Sequence, residues 1–370
     1  MHAPQVVDDP RPTTEPGPEP GPATRHARPP HGGRRPDKRR RGRVALAVVA
    51  GALVLVVGAG ALAWAGYTSA LDRKIERIED PFAALDEADR PDPAPAPAQG
   101  EAAPLNILAL GSDSRISAGD PSQWEFGAQR TDAIILLHVS ADRTSAAAIS
   151  IPRDSWVDVP GYGKAKINAA FSYGGPALMI ETVENLTGVR IDHFAVADFE
   201  SFTTLTDTLG GVEIEVPREG GGSELRTMSG EEALEFTRER YSLPNGDFGR
   251  VQRQQAWLRA IAGKATREVR DVGTATRFLE TALGSLSVDE GFGFDEMLGL
   301  AVSSRELSPA DIAFLTAPYA GTDRSADGQS IVVLDEPRLA ELMGAVAEDR
   351  LPEYLENAPD GLDQLPPVVR

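Results

Sequence analysis

Four short segments place arginine and aspartate side chains where a buried strand begins or ends. They are Gly111-Ser-Asp-Ser-Arg115, Arg130-Thr-Asp132, Ile151-Pro-Arg-Asp154 and the stretch from Arg238 to Gln254. A guanidinium presents paired N–H donors that match two phosphate oxygens, so several arginines together indicate a site for a pyrophosphate or a phosphodiester. Carboxylates at neighbouring strand ends would repel each other unless a divalent cation joined them, which predicts Mg²⁺, with Mn²⁺ as the alternative.

The last of these segments leads into a helix predicted from about Phe248 to Arg270. At 100° per residue, Arg250, Arg253 and Gln254 share one face of it, beside an apolar face that begins with Val251. The first turn of a helix favours anions, because its backbone N–H groups lack helical partners and its dipole is positive there. The helix start is therefore predicted to form part of the anion site.

Composition excludes several classes of function. The chain of 370 residues has a net charge of −19, divided between +5 in residues 1–43 and −24 in residues 67–370. So acidic a body repels phosphate backbones, which argues against a nucleic-acid partner. The absence of cysteine excludes disulfides and thiolate chemistry. The five histidines are scattered, so a metal here is expected to be a hard cation held by oxygen.

The N-terminal part predicts a membrane anchor. Residues 44–66 are uncharged and mostly apolar, and as a helix of 1.5 Å per residue they would reach about 34 Å, enough to cross a bilayer. A cleaved signal peptide is the alternative, but this apolar run is longer than such peptides usually have. The basic run before it keeps the N-terminus cytoplasmic and places the rest outside the cell membrane.

Changes in composition along the chain predict the domain boundaries. Residues 1–43 are predicted to be a disordered basic tail, and residues 67–104 a short juxtamembrane helix (Leu71 to Leu85) followed by a Pro/Ala-rich spacer. Residues 105–355 are predicted to form the folded domain, with residues 356–370 as a C-terminal tail. Its apolar runs alternate with helical stretches, which indicates a layered α/β domain with a largely internal sheet. Strands are expected near residues 105–111, 133–139, 146–151, 193–197, 212–216, 312–315 and 331–334.

Five blocks in fixed order resemble the LytR-CpsA-Psr family. They are LNILALGSDSR (105–115), RTDAIILLHVS (130–140), ISIPRDSWVDVPGYGKAKINAAFSYGG (149–175), IDHFAVADFESFTTLTDTLGGVEIEVP (191–217) and LEFTRERYSLPNGDFGRVQRQQAWL (235–258). The resemblance covers roughly residues 102–270, with the motif core in 105–270. It implies a three-layer α/β/α sandwich behind the single transmembrane helix. The high Ala, Gly, Arg and Pro content is typical of a GC-rich, actinobacterial source.

The resemblance also implies roles for individual residues. Asp113 and Asp132 match the carboxylates that hold Mg²⁺ in the family. The pyrophosphate ligands are implied to be a set of basic and amide side chains: Arg115, Arg130, Arg153, Lys166, Arg238, Arg240, Arg250 and Gln254. Arg130 and Arg153 are also catalytic candidates, because they would stabilise charge on the leaving group. On carboxylate character alone, and not from the resemblance, Asp154 and Asp247 are both candidates for the base that accepts the proton of the attacking hydroxyl.

The implied reaction is transfer of a glycan 1-phosphate. The donor would be a glycopolymer on a polyprenyl-pyrophosphate lipid and the acceptor a hydroxyl of peptidoglycan, leaving polyprenyl phosphate. A lipid pyrophosphatase is one alternative, since water and a sugar hydroxyl need the same phosphate clamp. A non-catalytic polyprenyl-lipid carrier or envelope regulator is the other, because a binder needs the arginines but not the carboxylates.

Overall fold

The computed structural model describes residues 57–94, 102–112, 131–218, 220–239, 247–283, 286–358 and 361–369. Residues from Leu62 to Arg370 form one compact unit. Residues 57–72 form a helix, α1. The further helices are α2 (Asn168–Thr187), α3 (Phe199–Thr208), α4 (Gly230–Arg238), α5 (Asp247–Glu268), α6 (Val272–Ala282), α7 (Phe294–Ser303), α8 (Glu336–Ala347) and α9 (Leu351–Glu356).

Within the described residues, seven strands form the main sheet, in the order β1-β10-β7-β2-β3-β4-β11. They are β1 (Glu76–Ile78), β2 (Leu105–Ser112), β3 (Thr131–Val139), β4 (Ala146–Ser150), β7 (His193–Asp198), β10 (Ser287–Asp289) and β11 (Ile312–Thr316). Three hairpins lie outside it: β5 (Trp156–Val159) with β6 (Gly163–Lys166), β8 (Val212–Pro217) with β9 (Ser223–Met228), and β12 (Tyr319–Arg324) with β13 (Ser330–Leu334). The mixed α/β fold predicted from the sequence is confirmed.

Strand direction brings several strand ends to one edge of the sheet. β2 runs parallel to β7, and β4 runs parallel to β11, whereas β3 lies between β2 and β4 and is antiparallel to both. The C-terminal ends of β2, β4, β7 and β11 therefore meet at the edge where β3 begins. In open α/β sheets this edge is the usual position of a ligand site.

Alternate residues of the central strands pack on opposite faces of the sheet. Leu108 and Leu110 of β2 belong to the cluster formed with α2 and α8, whereas Ile107, one residue before Leu108, packs with residues of α6 and α7. The period-2 alternation of a strand thus buries both faces, which explains why β2 is apolar along most of its length.

Local sequence signals explain where several helices begin and end. α4 starts with the capping box that its Ser229-Gly-Glu-Glu232 sequence predicts, because the Ser229 side chain and Glu232 exchange hydrogen bonds with each other's backbone N–H. α2 is interrupted at Gly174 and Gly175, and the positive φ of Gly175 (65°, ψ −153°) is a conformation that only glycine adopts readily. α2 therefore consists of two helical stretches, one on each side of these glycines.

The predicted juxtamembrane helix over Leu71 to Leu85 is wrong. The helix ends at residue 72, and the chain then enters strand β1, which pairs in parallel with β10. Asp72 accepts a hydrogen bond from the backbone N–H of Phe294 and pairs with Arg77, so this segment is part of the fold. Pro81 also removes a donor that a continuous helix would need.

The predicted membrane span lies mostly outside the described residues, which begin at residue 57. Among the residues that the structure describes, no helix has both the length and the apolarity needed to cross a membrane. Residues 361–369, in the predicted C-terminal tail, contact the body: Leu365 donates its N–H to Phe314 of β11, and Val369 donates to Glu215 of β8.

A buried histidine joins β7 to β10 and α7. The Nδ1 of His193 lies 3.2 Å from Asp289, and its Nε2 lies 3.2 Å from Glu296. Burial lowers the pKa of His193, but hydrogen bonding and charge from Asp289 and then Glu296 outweigh it, so the pKa is raised.

Candidate functional site

Polar residues collect at the sheet edge where the four strand ends meet. Ser112 ends β2, Ser150 ends β4, Asp198 ends β7 and Thr316 ends β11, while Thr131 begins β3, and all five are buried. A buried strand end with so many polar side chains is unusual in an apolar core. The edge therefore has the composition of a ligand site, in the place that the sheet topology indicates.

Asp132, the second residue of β3, holds two arginines together. Its Oδ1 accepts a hydrogen bond from Nη1 of Arg153, in the loop after β4. The same oxygen accepts from Nη1 of Arg250, on the first turn of α5, at 3.2 Å. Residues more than a hundred positions apart are thus brought together at one carboxylate oxygen.

Asp247 completes a compact cluster of alternating charge. Its Oδ1 lies 2.9 Å from Nη2 of Arg250 and 3.9 Å from Nε of Arg153. The two guanidiniums and the carboxylates of Asp132 and Asp247 have no net charge together. We call these four residues the arginine cluster.

The arginine cluster retains hydrogen-bond donors that no described protein group satisfies. The side chains of Arg250 and Arg153 are only 5% and 14% exposed. Nevertheless, the buried Nε of each has no hydrogen-bond partner among the described residues, and Nη2 of Arg250 has only its ion pair with Asp247. Leaving a buried charged donor unsatisfied is costly, so a site that keeps two of them is suited to an acceptor such as a phosphate oxygen.

Burial also lowers the pKa of Arg250. Desolvation lowers the pKa of Arg250, and Arg153 adds to this effect, whereas Asp247 and Asp132 oppose it. An anion bound between the two guanidiniums would offset both their mutual repulsion and their loss of hydration.

Backbone hydrogen bonds fix the loop that carries Arg153. The N–H of Asn168, at the start of α2, donates to the carbonyl of Arg153 at 3.2 Å, and the N–H of Val332 in β13 donates to Asp154 at 2.9 Å. Two structural units, the β5-β6-α2 segment and the β12-β13 hairpin, therefore hold this loop from either side. The backbone of Arg153 is therefore fixed by neighbouring secondary structure, which limits the positions open to its guanidinium.

A buried glutamine fixes the register of α5. Nε2 of Gln255 donates to the Ser150 hydroxyl at 3.0 Å and to the Leu315 carbonyl at 2.7 Å. These bonds join the helix to the ends of β4 and β11, five residues after Arg250. The only sequence signal for Gln255 is its position one residue after Gln254, on a face with Val251 and Leu258.

A second ion pair lies beside the arginine cluster. Nζ of Lys166, the last residue of β6, is 3.0 Å from Oδ1 of Asp154, and both side chains are about one quarter exposed. Lys166 and Asp154 were predicted as a pyrophosphate ligand and a base candidate. The structure brings them together next to Arg153, which precedes Asp154 in the chain.

Other predicted residues lie differently or outside the described part of the chain. Arg253 does not join Arg250: its guanidinium lies 4.3 Å from the centre of the Phe236 ring and donates to the Phe236 carbonyl at 3.1 Å. Both residues lie on α5 as predicted, but the prediction that their guanidiniums project together is wrong, because the neighbouring helix α4 offers Arg253 an aromatic ring. Gln254 is half-buried on α5, and Arg238 is exposed at the last turn of α4.

Four predicted residues fall outside the described residues: Asp113, Arg115, Arg130 and Arg240. Within the described ranges, no group of three or more His, Asp or Glu side chains has the arrangement of a metal site. Both arginine contacts of Asp132 are made to Oδ1, so its Oδ2, at a partly exposed strand end, can still face a cation. The side chain therefore fits a site in which a second carboxylate completes the ligand set.

The chain matches the LytR_cpsA_psr family over residues 77–348. It belongs to that family. "Cell wall biosynthesis protein LcpA" of Corynebacterium glutamicum is 28% identical over 286 residues, which is 62% of this chain and 53% of that protein. "Polyisoprenyl-teichoic acid--peptidoglycan teichoic acid transferase TagU" of Enterococcus faecalis is 30% identical over 243 residues, which is 64% of this chain and 76% of that protein. The chain spans about half the length of the corynebacterial relatives it matches.

Solved structures of the family share the fold. B. subtilis TagV superposes with a TM-score of 0.57 at 25% identity, over 67% of this chain and 97% of that one. TagT bound to LI-WTA superposes with a TM-score of 0.55 at 23% identity, over 72% of this chain and 98% of that one, and supports the fold alone.

Proposed function

We propose that the protein is a membrane-anchored, Mg²⁺-dependent phosphotransferase of the cell wall. It would move a glycopolymer, together with its proximal phosphate, from a polyprenyl-pyrophosphate lipid to a hydroxyl of peptidoglycan. The observation that supports this best is the arginine cluster, whose buried, unsatisfied guanidinium nitrogens suit phosphate oxygens. Membership of a family whose relatives are named for cell-wall biosynthesis and teichoic acid transfer supports the same reaction.

In this reaction the oxygen of the acceptor hydroxyl attacks the phosphorus next to the glycan. The bond from that phosphorus to the bridging oxygen breaks, and polyprenyl phosphate leaves with the electron pair. Arg153 and Arg250 would hold the non-bridging oxygens and stabilise the charge that develops on the bridging oxygen. Their fixed positions mean that little reorganisation is needed as the charge moves.

The proton of the attacking hydroxyl requires an acceptor, and the geometry favours Asp154 over Asp247. Asp247 contacts both Arg250 and Arg153 through its Oδ1, so this carboxylate is part of the phosphate-binding cluster. Asp154 lies against one cation, Lys166, within the described part of the chain. A carboxylate with one flexible cationic partner is the better general base.

Asp132, with Asp113 beyond the described residues, would hold the divalent cation through oxygen ligands. When bound there, Mg²⁺ would neutralise part of the phosphate charge as the leaving group departs. Asp132 has a second function that needs no metal: it fixes the separation of the two guanidiniums, because both donate to its Oδ1.

A reconstituted reaction tests the proposal. The full-length protein in detergent is mixed with a polyprenyl-pyrophosphate glycan, Mg²⁺ and nascent peptidoglycan. We expect equal amounts of released polyprenyl phosphate and wall-bound glycan, and loss of both with EDTA. Release of glycan phosphate into solution while acceptor is present would favour the pyrophosphatase, and tight lipid binding without any turnover would favour the carrier.

A further inference from the structure

Two exposed tyrosines form a stacked aromatic surface that the proposed reaction does not use. The ring centres of Tyr162 and Tyr173 are 4.6 Å apart, with 21° between the ring planes. Tyr162 is 57% exposed and Tyr173 43%. Single exposed apolar residues are common, but a pair of aromatic rings held together in solvent is typical of a binding surface. We call this pair the tyrosine platform.

Local backbone structure holds both rings in place. The N–H of Tyr162 donates to the Val159 carbonyl at 2.9 Å, closing a turn with Pro160 second and Gly161 (φ 77°) third, as a type II turn requires. Tyr173 is the last residue before the break in α2 at Gly174. The Tyr162 hydroxyl also donates to the Tyr173 carbonyl at 3.4 Å. Such preorganisation lowers the entropic cost of binding.

The tyrosine platform is connected to the candidate site through one hairpin strand. β6 runs from Gly163, next to Tyr162, to Lys166, which pairs with Asp154. At 3.3 Å per residue, Tyr162 lies about 13 Å along the strand from Lys166. That distance is about the length of two sugar rings, so a polysaccharide bound to the tyrosine platform can reach the candidate site.

The surroundings of the platform suit a carbohydrate. A pyranose ring has an apolar C–H face that stacks on aromatic rings and a rim of hydroxyls that needs polar partners. The exposed ion pair between Asp158 and Lys164 (3.2 Å) lies on the same hairpin and offers such partners. Space above the turn is open, because a Cβ built on Gly161 or Gly163 would meet no atom within 4 Å.

We propose that the tyrosine platform binds a sugar ring of the acceptor, the glycan strand of peptidoglycan. This inference rests on the proposed function. The donor phosphates belong at the arginine cluster, and Asp154 lies between that cluster and β6. A strand that enters over the platform therefore brings its hydroxyl first to Asp154, the favoured base, and then to the phosphorus. A donor glycan on the platform would instead separate Asp154 from the acceptor.

Binding of an N-acetylglucosamine hexasaccharide to the full-length protein in detergent, measured by calorimetry, tests the platform without catalysis. Removing one ring face in Tyr162→Ala should weaken binding about five- to tenfold, as expected from the apolar area lost. Tyr162→Phe keeps the ring and should stay within about twofold of the wild type. Tyr67→Ala is the matched control, because Tyr67 is also exposed and also lies near a second aromatic ring, Trp64.

Steady-state kinetics then identify the ligand. For Tyr162→Ala we expect KM for nascent peptidoglycan to rise by the same factor at saturating donor, with KM for the lipid donor unchanged. Wild-type affinity in Tyr162→Ala, or no hexasaccharide binding by the wild type, would overturn the platform. A rise confined to the donor KM would overturn the acceptor assignment. Platform-dependent sugar binding in a protein that transfers nothing would uphold the platform and refute only the proposed function.

Discussion

Replacing Arg250 by lysine separates the shape of the guanidinium from its charge. The arginine contacts Asp132 through Nη1 and Asp247 through Nη2 from one planar group, in a side chain that is 5% exposed. A lysine keeps the positive charge but cannot span both carboxylates and also donate to a phosphate. At least one charge-assisted hydrogen bond to the ligand is lost, worth about 1.5–3 kcal/mol, so affinity should fall about 10- to 150-fold.

The assay is binding of a short-chain polyprenyl pyrophosphate to the full-length protein, followed by intrinsic tryptophan fluorescence. Arg253→Lys is the matched control: it lies three residues further along α5, and its guanidinium contacts Phe236. We expect its affinity to stay within about twofold of the wild type, because a lysine can also lie over an aromatic ring. Equal losses of affinity in the two variants would show that the effect comes from α5 as a whole and that Arg250 has no special role in phosphate binding.

Three further predictions follow from the structure. Asp132→Asn removes the charge that joins Arg153 and Arg250, so turnover should fall at least a hundredfold while pyrophosphate affinity is kept or increased; a parallel loss of affinity would contradict this. Gly175→Ala should lower stability in urea unfolding by about 1–3 kcal/mol because of its strained φ and ψ, and by more than Gly188→Ala, an open helix cap. The raised pKa of His193 adds stability that is complete below about pH 6.5 and is lost as pH rises through the folded-state value. The melting temperature of His193→Gln should therefore fall less than that of the wild type between pH 6 and 9. An identical fall in the two proteins would show that His193 does not cause the pH dependence of stability.

The strands that carry the site could be predicted because their sequences are densely apolar. Leu105 to Ser112 and Thr131 to Val139 are covered on both faces, so a short apolar run bounded by polar residues was a sufficient signal. Asp132, Arg153 and Arg250 stood out for the same reason, since each lies at the end of such a run or at a helix start. The structure confirms that these three side chains meet.

Features that depend on tertiary partners could not be predicted. Arg253 has the same helical position as a site residue, but the ring of Phe236 on α4 determines its orientation. The segment after residue 72 reads as a helix, yet it forms β1 because β10, more than two hundred residues later, provides the pairing edge. Tyr162 and Tyr173 are eleven positions apart, and nothing in their spacing indicates that their rings stack.

Following one phosphorus atom tests directly whether the phosphate next to the glycan moves with it to peptidoglycan. A donor labelled with ³²P only at the phosphate next to the glycan is incubated with the full-length protein, Mg²⁺ and nascent peptidoglycan. We expect the label to become wall-bound in proportion to the glycan, and we expect Arg153→Ala to abolish this transfer. Label that stays with the lipid, or that appears only as soluble glycan phosphate while acceptor is present, would contradict it.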